Sequence, residues 1–231
     1  MSRKICFLLF FPLFIAIYPA DAQDVLRGEV RVQLEPIPAF SGYLEDGLLH
    51  DREEAYRRAL EMAAMFFSAQ IYGWSFHYDI GERARGIAEE FELTPVGEIP
   101  WGDPRLFVTH AGFDNLVFSA WMDYRPSAAQ AQRLRMWRMG NVRTMQAVGF
   151  SPILRPGDPS GWLEIKKSAL EDSTRAAVRA LLQGSERNRP RQATGYIGLQ
   201  NFPFFYMDSG RWAARARFRV EIKEIIPFAV H

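Results

Sequence analysis

Arg215, Arg217 and Arg219 are separated only by Ala216 and Phe218. In an extended strand alternate side chains share one face, at a spacing of about 7 Å. Three guanidinium groups in such a row suit a phosphate, a carboxylate or an anionic polymer, because each presents a planar fork of donors. A solvated strand face, with Arg stems covering the sheet, has the same pattern. These three residues are the candidate partner-binding site. His77 and Asp79 repeat the one-residue spacing. On a shared strand face they form an acid–base pair or orient a ligand, and they are the alternative catalytic site of a periplasmic small-ligand binder or hydrolase. A polar strand face with no chemistry is the other account of them.

His110 and Asp114 flank a turn signal. The chain has four His and no HExxH spacing, so no metal site is expected. Glu89, Glu90 and Glu92 suit either paired-carboxylate chemistry or a solvated helix face. The motifs GxxxxGK, GxGxxG, GxSxG and SxxK are absent. With them go the standard nucleotide and serine-hydrolase signatures, and no cofactor is expected.

Composition bounds the setting in which such groups work. The chain has 231 residues, of which 48% are hydrophobic and 14% aromatic, enough to form a core. Residues 1–22 read as an export signal. Arg3 and Lys4 precede an apolar run over 5–18, and Ala20 and Ala22 give a small-x-small cleavage pattern. An uncleaved anchor is the other reading. Cys6 is the single cysteine, so cleavage leaves no thiol and no disulfide. Both that and the absence of an Asn-x-Ser/Thr sequon favour a bacterial envelope protein over a eukaryotic secreted one.

The net charge of +1 hides a division. Residues 23–125 hold nine basic and eighteen acidic residues, a net of −9, and residues 126–231 hold seventeen and eight, a net of +9. Either the halves attract each other or the basic half faces an anionic partner. Nucleic acid is not expected, given export and neutrality after cleavage. The expected function is that of an exported, non-enzymatic cell-envelope protein acting through protein or anionic-polymer contacts.

The elements that position these residues follow from periodicity. Alternation predicts strands over 25–34, 74–80 and 211–223, with 204–207 as hairpin partner of the last, across Asp208-Ser209-Gly210. A second hairpin is expected over 106–124, apolar on both faces and so covered on both sides. Helices are expected over 52–70, capped by Asp51 and Glu54, and over 82–93. Another is expected over 128–148 after Pro126-Ser127, bent or split at Gly140. A last one is expected over 169–183, capped by Ser168 and Glu171. Residues 152–161, with three prolines and two glycines, read as a hinge. The fold class is therefore α+β, an antiparallel sheet with helices on one face, in two similar helix-plus-hairpin halves. The stretch 168–225 carries SALEDSTRAAVRALL followed by RWAARARFRVEIKEI. It resembles exported modules of the flagellar-assembly-protein-T and small outer-membrane-lipoprotein type. That resemblance implies an envelope structural or assembly role and brings no catalytic residue.

Overall fold

A computed structural model describes residues 25–34, 52–81, 86–114, 117–153, 162–185 and 190–227, and these form nine antiparallel strands and three helices. The expected export signal and Asp51 lie outside the described residues, as does most of the expected hinge at 152–161. The α+β class expected from sequence is met.

In chain order the elements are β1 (Leu26–Gln33), α1 (Arg52–Ile71), β2 (Trp74–Asp79), β3 (Glu90–Pro95), β4 (Leu106–Asp114) and β5 (Val117–Tyr124). Then come α2 (Ala128–Met139), β6 (Arg143–Phe150), α3 (Trp162–Ser185), β7 (Pro190–Leu199), β8 (Phe204–Asp208) and β9 (Arg211–Pro227). The small sheet has the order β1-β5-β4. The large sheet has the order β3-β2-β7-β9-β6, with β8 also paired to β9. Strands β2 and β3 come from the acidic half, yet β2 pairs along β7 of the basic half.

Helix α1 joins the sheets. Its Phe66 and Phe67 are buried. Phe67 stacks on Tyr124 of β5 at 5.6 Å, and both phenylalanine rings of α1 reach Phe202. Aromatic pairs in this range add to the burial of the rings themselves. Helix α3 covers β6 and β9 of the large sheet. The contact is close because Gly149 of β6 has no side chain: a Cβ there would lie 1.8 Å from the Ser173 backbone nitrogen. Ser173 Oγ donates to Ala147 O at 3.1 Å, and Asp172 Oδ2 accepts from the Phe150 N–H at 2.8 Å. Helix α3 thus bonds main-chain groups of β6 directly.

Helix α2 starts at a capping box, Ser127 with Gln130. Its Trp137 donates to Ile71 O at 3.1 Å. The ring lies where Cβ atoms at Gly73 and Gly198 would be, 2.9 and 3.1 Å away. Gly73 also has φ +65°, which favours glycine.

Four local expectations differ from the structure. Residues 90–95 form strand β3, not the end of a helix. Phe91 and Leu93 pair opposite Tyr78 and Phe76, and the Tyr78–Phe91 edge contact rewards the extended form. Residues 128–148 split at Gly140, as the sequence allowed, but the part after it is strand β6 and not helix, because β6 completes eight pairs with β9. Helix α3 begins at Trp162, so Ser168 is interior and donates to Ile165 O rather than capping. The hairpin 106–124 is not covered on both faces, since His110, Phe113 and Trp121 are exposed.

Candidate functional site

Strand β9 displays Arg215, Arg217 and Arg219 on one face while Ala214, Ala216, Phe218 and Val220 are buried on the other. Arg215 and Arg217 each have a neighbour that orients them without neutralising them. Arg215 lies 5.7 Å from the Tyr206 ring centroid, and Arg217 Nε donates to Gln146 Oε1 at 3.3 Å. Arg219 is half-buried; that burial lowers its pKa and nearby Arg138 lowers it further. Among the described residues none of the three forms an ion pair. The row ends at Glu221, which pairs with Lys223 at 2.6 Å. Register places Phe204, Tyr206 and Phe150 on the same side as the arginines. Arg211 stacks on Phe150 at 4.0 Å. The face therefore offers alternating cations and rings.

The opposite charges of the two halves meet at one described ion pair, where Arg179 of α3 binds Glu89. Burial would raise the Glu89 pKa, but hydrogen bonds from Arg179 and Tyr78 outweigh it and lower it. Other described pairs stay within a half, among them Arg27–Asp123, Arg57–Glu54 and Arg105–Asp103.

His77 is exposed, and its Nε2 lies 2.5 Å from Gln192 Nε2. Asp79 Oδ1 accepts from the Gly81 N–H at 3.4 Å. The two share a strand face, but neither lines either of the two main cavities. His110 and Asp114 are exposed along β4. Glu89 braces α3, whereas Glu90 and Glu92 are exposed on β3. Among the described residues no three His, Cys, Asp or Glu side chains are grouped as metal ligands.

Three arrangements were invisible to spacing arguments. A cleft of about 290 Å³ opens between α1 and α3, closed at one end by the 95–101 loop. Trp74, Trp101, Met65 and Leu163 are among its apolar residues, and Glu61, Glu98, Glu164 and Glu171 among its charged ones. A second cavity of about 280 Å³ is lined in part by Gln33, Met62 and Phe205. All three contact the Lys166 ammonium, with Gln33 Oε1 at 3.0 Å and the Phe205 centroid at 5.6 Å. Trp212 lies over the same nitrogen at 4.7 Å. Desolvation, with a contribution from Arg58, lowers the Lys166 pKa to about 7.

The third is a polar network at the end of β5. Gln130 Nε2 donates to Tyr72 Oη at 2.8 Å, and Tyr124 Oη donates to Asp103 Oδ2 at 3.2 Å. Arg105 forks onto Asp103 and lowers its pKa. The Pro100-Trp101-Gly102 stretch was the one available signal for the cleft, since an indole between two turn residues has little of its own segment to hide it.

The molecule is thus a two-sheet α+β protein with a cationic, ring-studded sheet face and an acidic cleft between helices. A model of an uncharacterised protein family matches residues 15–228, and the chain belongs to that family. An uncharacterised protein of Treponema pallidum (strain Nichols) is 25% identical over 171 residues, covering 74% of this chain and 69% of that protein. No solved structure matches.

The family match overturns the resemblance to flagellar-assembly-protein-T and small-lipoprotein modules, neither of which is found. The physical reason lies in what carried it. Helix α3 and strand β9 have the amphipathic periods that any helix and strand need when they share one core. No helix among the described residues is long and apolar enough to cross a membrane.

Proposed function

We propose that this chain is an exported bacterial cell-envelope protein that works by binding, and that the arginine face of β9 docks an acidic protein surface or an anionic polymer. One observation carries the reading: Arg215, Arg217 and Arg219 share an exposed sheet face and form no ion pair among the described residues. Unneutralised guanidinium groups held at strand spacing retain their field and their donors for a partner. The rings beside them supply apolar contact between the charges. The basic n-region, apolar run and Ala-x-Ala pattern at the start of the sequence support export.

The test is the triple variant Arg215→Ser, Arg217→Ser, Arg219→Ser. Arg215 and Arg217 are exposed, and Arg219 is half-buried on the face opposite Phe218, so the variant is expected to keep the wild-type circular dichroism. In pull-downs from envelope extracts it recovers less of the partner, and the loss is largest at low salt. Recovery equal to wild type at every ionic strength would exclude this face. Cell fractionation tests the location, and a cytoplasmic pool of full-length chain would contradict it.

A further inference from the structure

We propose that the cleft between α1 and α3 binds a small organic cation, an ammonium or guanidinium group carried on an apolar body. This site is independent of the arginine face. Its charges, its rings and its fixed shape each point to such a ligand.

The charges come first. Four carboxylates line the cleft against one cation, Lys167. Lys167 sits 3.9 Å from Glu164, and Arg57 holds Glu61. Glu98 of the loop and Glu171 of α3 form no ion pair among the described residues. Glu171 is exposed, yet partial desolvation raises its pKa, with Lys167 opposing the rise and Glu164 adding to it. An arriving cation would relieve this unfavourable potential, and an anion would worsen it.

The rings set the rest of the ligand. Trp74 is half-buried in the wall, and Trp101 is 63% exposed at the mouth. Indole faces are the strongest side-chain acceptors of a cation. Met65, Leu93, Leu163 and Leu170 make the rest of the surface apolar, which favours a ligand with a hydrocarbon body over a hydrated metal ion.

The shape is set before any ligand arrives. Ser68 Oγ of α1 accepts from the Ile99 N–H at 2.8 Å, and the Val96 N–H donates to Gly73 O at 3.1 Å. Gly97 lies against the Tyr72 ring, with its missing Cβ position 2.9 Å from Cδ1. The loop that carries Glu98 and Trp101 is therefore fastened to α1, which reduces the ordering cost of binding.

Calorimetric titration of the purified full chain with phenethylammonium chloride and with 2-phenylethanol tests the idea. The two probes share an apolar body and differ in charge. Phenethylammonium is expected to saturate one site, with the alcohol about tenfold weaker. In Glu98→Gln/Glu171→Gln, affinity for the ammonium falls by about tenfold while that for the alcohol is unchanged. Trp101→Ala weakens the ammonium without disturbing the core, because its ring is mostly exposed, and it decides the matter if the double variant misfolds. Equal binding of the two probes, no saturation by either, or unchanged affinity in the variants would overturn the assignment.

Discussion

Replacing Lys166 by methionine should stabilise the protein at neutral pH and below, and the gain should vanish as the pH rises. The Lys166 pKa is about 7 in the folded chain against an ordinary 10.5, with desolvation as the main cause. Between these values the unfolded chain binds the proton and the folded chain does not, so stability rises with pH across that window. Below about pH 7 the lysine is charged in both states, and the burial cost is present in full. Each tenfold loss of proton affinity corresponds to about 1.4 kcal/mol, so that cost is about 4–5 kcal/mol. The Trp212 and Phe205 rings face the ammonium, and such contacts offset about 2 kcal/mol when desolvated. Lys166→Met keeps the unbranched stem and removes the charge. It is expected to be about 2 kcal/mol more stable than wild type near pH 6 and to converge on it near pH 10. Urea denaturation followed by tryptophan fluorescence across this range measures the difference. Parallel stability curves for the two chains, or a less stable variant near pH 6, would show that the ammonium is compensated in the core and that desolvation does not govern it.

Other outcomes follow from particular contacts. Gly149→Ala sets a Cβ against the Ser173 backbone, so α3 has to move. Thermal unfolding should show a loss of about 3 kcal/mol or more, while Gly112→Ala, with open space around it, stays within about 0.5 kcal/mol. Gln130→Leu removes a side chain that bonds Tyr72, Tyr124 and the Ser127 N–H. It should cost about 2–3 kcal/mol in chemical denaturation, and Ser127→Ala, which removes only a helix cap, about 1 kcal/mol.

What could be read from the sequence was what each segment settles with its own neighbours. The stripes of α1 and the alternation of β1, β2 and β9 reflect burial on one face, a local property once the core side is fixed. The β8–β9 hairpin is legible because Asp208-Ser209-Gly210 is turn chemistry, with Ser209 and Gly210 both at positive φ. Strand β3 was missed because Glu89, Glu90 and Glu92 look helical alone, and only pairing with β2 makes Glu90 and Glu92 extended. Helix α3 extends seven residues before the expected start at Ala169, since Lys166 packs on Trp212, a partner far along the chain. The cleft was hidden for the same reason. Its carboxylates come from α1, a loop and α3, and no spacing rule links Glu61, Glu98 and Glu171. The arginine row was legible as a face; the missing carboxylates around it were not, because neutralisation is a tertiary matter.

Strand β9 has a consequence for the order in which this protein can be made. Among the described residues, strands β6 and β8 pair only with β9, and β7 joins them to β2 only through it. On a ribosome, residues 143–208 emerge before the strand that unites them. Until residues 211–227 follow, only β3, β2 and β7 of the large sheet can pair, β6 and β8 have no described strand partner, and long-range pairings of this kind form late. The export proposed above requires an unfolded chain, and this arrangement suits it. The largest cooperative unit cannot close until the last described strand is available.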